Sequence, residues 1–131
     1  MRKYSEVILT LGLAVLLLAC AATVASARVT YKTSKPVLSR APAKDKPFTC
    51  SGTFSPKSTS KSRATIKIKL WMKYDDGWGV MGIYKATVSG GTKYSRSITI
   101  PMKGPHGVQA LQYRGGKLVS KSGIRYFKVT P

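Results

Sequence analysis

One histidine, two cysteines and four carboxylates are nearly the whole stock of groups from which acid–base, nucleophilic or metal chemistry could be built in this 131-residue chain. General acid–base catalysis needs positioned titratable groups, commonly two carboxylates or a histidine oriented by one. Here Asp45 lies in a Pro/Ala/Lys-rich stretch, and Asp75-Asp76-Gly77 is a turn, where Asp is favoured for backbone reasons. That turn also lacks the alternating acidic ligands of a calcium loop. A single His and the single Cys of the later chain make no zinc set. His106, between Pro105 and Gly107, reads as a strand-start residue. Cys50 sits in Phe48-Thr49-Cys50-Ser51-Gly52-Thr53-Phe54, in phase with both Phe side chains on an alternating stretch. That phase predicts a buried, inert thiol, so a Cys50/His106 nucleophile pair is not expected. Neither an enzyme nor a cofactor is expected from this inventory.

Positive charge, by contrast, is abundant: 23 Lys and Arg stand against 4 acidic residues, a formal +19. Such a field attracts polyanions wherever the individual charges sit. A hydrophobic share of 43% excludes a fully disordered chain. Lys67, Lys69, Trp71 and Lys73 alternate along one strand and so share a face, with successive side chains about 6–7 Å apart. Lys57, Lys61 and Arg63, just upstream, extend the same candidate surface. A row of ammonium groups beside a ring suits an anionic glycopolymer, phosphate or carboxylate meeting lysine and sugar meeting the ring. The competing reading is an ordinary solvated face, with Trp71 packed on a neighbouring strand or a lysine stem.

Two classes of function follow. The first is a non-catalytic module held at the cell envelope by anionic wall polymers, or by a surface protein. The second is a secreted cationic effector that binds nucleic acid or other polyanions. Sequence-independent nucleic-acid binding would run on phosphate contacts and weaken steeply with salt. The chain has no recognised nucleic-acid motif, which ranks that class second. Membrane disruption would need an amphipathic cationic segment at helical spacing, and none is found.

The elements that must position these residues begin after an export signal. Arg2 and Lys3, the apolar run Val7 to Ala19, and Ala25-Ser26-Ala27 read as a signal peptide over residues 1–27, with the mature chain starting at Arg28. A retained membrane anchor is the lesser alternative, as is lipidation at Cys20, because Leu17-Leu18-Ala19-Cys20 resembles a lipobox. Cleavage after Ala27 removes Arg2, Lys3 and Glu6, leaving 104 residues with 21 basic and 3 acidic side chains, a formal +18. Cys50 is then the sole cysteine, which excludes an intrachain disulfide and leaves a secreted monomer with no further membrane insertion as the expectation.

Residues 28–46 read as a basic Pro/Ala/Lys lead-in with at most one short edge strand at Val29-Thr30-Tyr31, semi-extended from Ser34 onward. Residues 47–131 read as one all-β domain, since period-2 patterns recur and no helical periodicity with caps appears. Expected strands cover Pro47 to Phe54, Arg63 to Tyr74, Trp78 to Val88, Lys93 to Ile100, Gly107 to Arg114 and Ile124 to Thr130. Gly and Pro punctuate them at Asp75-Asp76-Gly77, Ser89-Gly90-Gly91, Lys103-Gly104-Pro105 and Gly115-Gly116. Six or seven short antiparallel strands over this length suit an immunoglobulin-like β-sandwich.

Three segments also carry a resemblance: Phe48 to Lys57, Thr65 to Trp71, and Thr92-Lys93-Tyr94-Ser95 leading to Ile98-Thr99-Ile100-Pro101-Met102-Lys103-Gly104. In this order and spacing the chain resembles a bacterial Ig-like module found in secreted and surface proteins of high-GC Gram-positive bacteria, over about Pro47 to Thr130. The resemblance implies a sandwich of about seven strands without catalytic residues. In a disulfide-linked Ig domain the partner of Cys50 would lie on the strand Gly107 to Arg114, which has Ala110 and no Cys. The chain departs from the family at His106, where an aromatic is usual, and in carrying a single module.

Overall fold

In the computed structural model, which describes residues 28–131, every element is a strand: β1 (Lys32–Thr33), β2 (Val37–Leu38), β3 (Phe48–Ser55), β4 (Ala64–Tyr74), β5 (Gly77–Lys85), β6 (Thr87–Ser89), β7 (Lys93–Ile98), β8 (Gly104–Arg114), β9 (Lys117–Lys121) and β10 (Arg125–Val129). They form two antiparallel five-stranded sheets, a sandwich-like arrangement. One has the order β1-β3-β7-β6 with β2 also on β3; the other has the order β10-β8-β4-β5 with β9 also on β8. All ten strands belong to one unit, Tyr31–Pro131. The segment expected to be a signal peptide, and Cys20 within it, lie outside the described residues.

Alternation builds the interior directly. On β4 the inward residues Ala64, Ile66, Ile68 and Leu70 are buried, while Thr65, Lys67, Lys69 and Trp71 are half-buried on the other face. Each fully buried Ile or Leu contributes about 1.5–3 kcal/mol of apolar transfer. Phe48, Cys50, Phe54, Tyr94, Ile98, Ile100, Val108, Ala110 and Val129 complete the core. Ala110 is buried on β8, and Cys50 is a free, buried thiol.

Ten strands stand against the six or seven expected because two edges are split, the expected Trp78 to Val88 strand divides into β5 and β6, and β9 forms where no strand was expected. Beside β3, the edge is split into β1 and β2; beside β8, it is split into β9 and β10. Each break is bridged by a serine. Ser34 donates its N–H to Thr53 O while its Oγ accepts from Thr53 N–H at 2.8 Å. Ser122 donates its N–H to Ala110 O, and its Oγ accepts from Ala110 N–H at 2.9 Å. A hydroxyl thus replaces a ladder partner wherever the edge strand steps away, so that β3 and β8 keep their hydrogen bonds satisfied.

Three boundaries differ from expectation. The returning strand expected to reach Val88 ends at Lys85, because the chain crosses to the other sheet at buried Ala86, whose N–H bonds Ile66 O at 2.8 Å. The strand expected from Gly107 starts at Gly104, where φ is +110° and only glycine is at ease. The lead-in is no free linker: it supplies β1 and β2, Pro36 is fully buried, and Ala43 makes a parallel bridge to Thr130. Its prolines keep it extended, and its hydroxyls and carbonyls tie it down. Arg125 Nε donates to Pro36 O at 3.0 Å, and Thr33 Oγ1 to Ser120 Oγ at 2.9 Å. Gln112, buried on β8, reaches Lys32 O and Thr33 Oγ1 with its Nε2. Its Oε1 accepts from Arg114 Nε at 2.9 Å. Arg114, also buried, donates further to Ser62 O, Ser62 Oγ and Pro56 O, and its guanidinium lies 5.5 Å from the centre of the Tyr31 ring and 5.8 Å from that of Phe54, so neutral oxygens and ring faces hold its charge.

Candidate polyanion-binding face

Register places the outward residues of the second sheet in rows. Lys121, Leu111, Lys67 and Lys85 form one row across β9, β8, β4 and β5. Gln109, Lys69 and Ile83 form the next, then Tyr126, Gly107, Trp71 and Val80, then Lys73 and Trp78. A bulge at Leu70/Trp71 leaves Met81 as an extra residue on β5 and lets it turn toward the core, while Val80 and Ile83 both stay outward.

This face is unusual in what it leaves in water. Of nine exposed large hydrophobic residues among the described ones, five lie on it: Trp78, Val80, Ile83, Leu118 and Tyr126. Trp78 is 42% exposed and Tyr126 59% exposed, yet their rings meet edge to face at 5.2 Å. They stand on β5 and β10, on either side of β8 and β4, so the two side chains arch over Gly107 and Trp71. A Cβ at Gly107 would lie 2.8 Å from Ile124 Cγ2 and 3.3 Å from Tyr126, so glycine is what lets β10 lie so close. Underneath, Trp71 is half-buried, and its Nε1 is out of water with no acceptor among the described residues.

Two lysines of the sequence-predicted strip are held by rings. Lys69 Nζ stands 4.6 Å from the centre of the Trp71 ring, and Lys67 Nζ 5.0 Å from that of Tyr113. Such contacts stabilise by about 0.5–1 kcal/mol at exposed sites and fix the ammonium groups in place. Lys73 is exposed at the end of the strand. The upstream cations divide: Arg63 is exposed and in phase with Lys67, and Lys61 is exposed in the β3–β4 connection. The Lys57 stem lies instead against Gly91, in the β6–β7 turn of the other sheet. Sequence reasoning missed Lys85, Lys121, Trp78 and Tyr126. The signal for Trp78 and Val80 was present as alternation after the Asp75-Asp76-Gly77 turn, but the bulge broke its period.

The outer face of the first sheet is chemically opposite. Thr49, Ser51 and Thr53 on β3 pair with Ser97, Ser95 and Lys93 on β7, and Thr87 and Ser89 on β6 continue the row. It is a hydroxyl-rich surface with two lysines, Lys93 and, on β1 opposite Ser55, Lys32, and one exposed aliphatic, Val37, on β2 opposite Ser51.

The inward titratable groups do not join either face. His106 is fully buried; its Nδ1–H donates to Gly104 O at 2.9 Å, its ring stacks on Phe127, and Nε2 has no partner among the described residues. Burial pushes the Cys50 thiol up to about 12, the reverse of an activated nucleophile. Among the described residues, no three His, Cys, Asp or Glu side chains gather as a metal site.

Neither a protein family nor a curated protein matches the chain. Among solved structures it is similar to the alkylpurine DNA glycosylase AlkC of Pseudomonas fluorescens, bound to DNA containing an abasic-site analogue, at TM-score 0.50 and 13% identity over 79% of this chain. The chain spans 31% of that protein's length, so the likeness speaks for a shared β fold only. It is also similar to a superoxide reductase (neelaredoxin) from Ignicoccus hospitalis, at TM-score 0.46 and 12% identity over 74% of this chain and 81% of that one.

Proposed function

We propose that this chain is a small secreted, strongly basic, non-catalytic module of immunoglobulin-like type, and that it associates with anionic cell-envelope polymers through the outer face of the β10-β8-β4-β5 sheet. The fold part of the reading is supported by strand order. With each split edge counted as one rank, four ranks face four, and the chain crosses between sheets as in Greek-key sandwiches. The functional part is carried by one observation: the two outer faces are unlike. One is hydroxyl-rich, with Lys32 and Lys93 at its margin and no exposed ring among the described residues, whereas the other concentrates Lys67, Lys69, Lys73, Lys85 and Lys121 around exposed rings. A face that kept rings in water merely to be solvated would gain nothing from them. The lysines also repel a second copy of the same face, which selects an anionic partner.

The test is a cell-wall pulldown across a salt series. Wild-type binding should fall as salt rises, because released counterions drive it. Lys67, Lys69 and Lys73 changed together to Ala should flatten the log–log slope by about 2 to 3. A control with Lys44, Lys46 and Lys93 changed to Ala removes the same charge from elsewhere and should leave most of the slope. Equal loss in both variants would mean that net charge alone matters. No binding by the wild type even at low salt would remove the reading altogether.

A further inference from the structure

Along β4 the binding face carries lysines throughout but exposed aromatic rings at one end only, so its two ends are suited to different parts of one ligand. At the Lys67 end, Lys67, Lys85 and Lys121 lie in a single row across three strands, with Lys69 one row further on. At the Trp71 end, Trp78 and Tyr126 arch over Gly107 and stay exposed, with Lys73 opposite Trp78 and Lys128 two residues beyond Tyr126. The two rows are four residues apart on β4, about 13 Å at strand rise. Trp71 itself is not the available platform, because it is half-buried and its ring already carries the Lys69 ammonium at 4.6 Å.

We infer that the ligand is a glycan bearing its anionic groups on or between sugar residues, rather than a bare polyanion. The inference rests on the polyanion reading above and adds a division of labour: Trp78 and Tyr126 receive a sugar face, and the lysine row receives the phosphate or carboxylate next along the chain. A polyphosphate has nothing to place on the rings, and binding it leaves 42% and 59% exposed aromatic surface in water. A sugar presents C–H groups on one side and hydroxyls at its rim, and covers the rings while staying solvated at its edge. The rings are preorganised by their mutual edge-to-face contact, so little rotamer freedom is lost on binding. Within the lysine row, Lys67 is likewise preset, its ammonium 5.0 Å from the centre of the Tyr113 ring.

The experiment measures affinities of the mature protein at fixed salt for four soluble probes of matched length: phosphomannan oligosaccharide, oligogalacturonate, polyphosphate and neutral dextran. At least one of the two charged glycans should bind about tenfold more tightly than polyphosphate, compared per charge. Which of them does so tells phosphate from carboxylate. The double variant Trp78→Ala/Tyr126→Ala should lose that preference while keeping its polyphosphate affinity and salt slope. Trp78→Phe/Tyr126→Phe should largely restore it, which a merely structural role of the indole N–H or phenol would not allow. Polyphosphate bound as tightly as both glycans overturns the inference and leaves the polyanion reading standing. Failure to bind any charged probe overturns both, as does dextran bound as tightly as the charged glycans.

Discussion

At Cys50 a single thiol reports whether the interior is as described. It is fully buried between sheets, and burial holds its titration up to about 12, while that of Tyr94 is likewise raised by burial to about 12. Both groups bind their protons more tightly in the folded than in the unfolded chain. Their contribution is therefore complete below about pH 9, where the unfolded thiol still holds its proton, and drains away as pH rises from 9 to 12. Urea unfolding should show a midpoint that is steady from pH 7 to 8.5 and falls progressively above pH 9. Thiol reagents at neutral pH should label native Cys50 slower than the denatured chain by on the order of a thousandfold, since labelling requires opening of the core. Rapid native labelling would show that Cys50 is not where Phe48 and Phe54 place it. This residue was legible in the sequence, because alternation with two Phe residues leaves few other places for it. His106 was legible only in part: its strand was evident, but its inward phase, against Met72 and Phe127, required the register.

Among the elements, the two split edges carry the most specific structural claim. Ser122 Oγ satisfies the N–H of Ala110, a fully buried residue, whereas Ser34 Oγ serves Thr53 at an exposed position. Ser122→Ala should destabilise by about 1–3 kcal/mol, because it strands a buried donor, and Ser34→Ala by less than about 1 kcal/mol, because water can replace the lost oxygen. Chemical denaturation of the two variants checks the ordering; equal effects would mean that the serines do not fill the breaks. The same elements show why sequence reading merged or missed strands. A strand of two residues, such as Lys32–Thr33 or Val37–Leu38, has no period to detect. The crossing at Ala86 is silent too, since nothing in Tyr84-Lys85-Ala86-Thr87-Val88 breaks the alternation that continues from one sheet into the other. The long central strand β4, alternating without interruption, was read almost to the residue. Half of the candidate face was therefore legible along it, and the half contributed by β5, β9 and β10 was not.

For the molecule as a whole, charge and shape act together. A balance of +18 over residues 28–131 gives long-range attraction to any polyanion. On the proposed reading the sandwich gives that attraction a direction, because five lysines and the exposed rings share one outer face while the other is hydroxyl-rich with two lysines. A hydroxyl face adds little affinity for anions and stays in water. The direct measurement is amide chemical-shift mapping of the isotope-labelled protein over residues 28–131, titrated with a soluble anionic glycan at moderate salt. Perturbations concentrated on β4, β5, β8 and β10, with the Trp71 and Trp78 indole signals among the largest, are the result predicted here. Shifts spread evenly over both sheets, or centred on the Thr49-Ser51-Thr53 face, would contradict it.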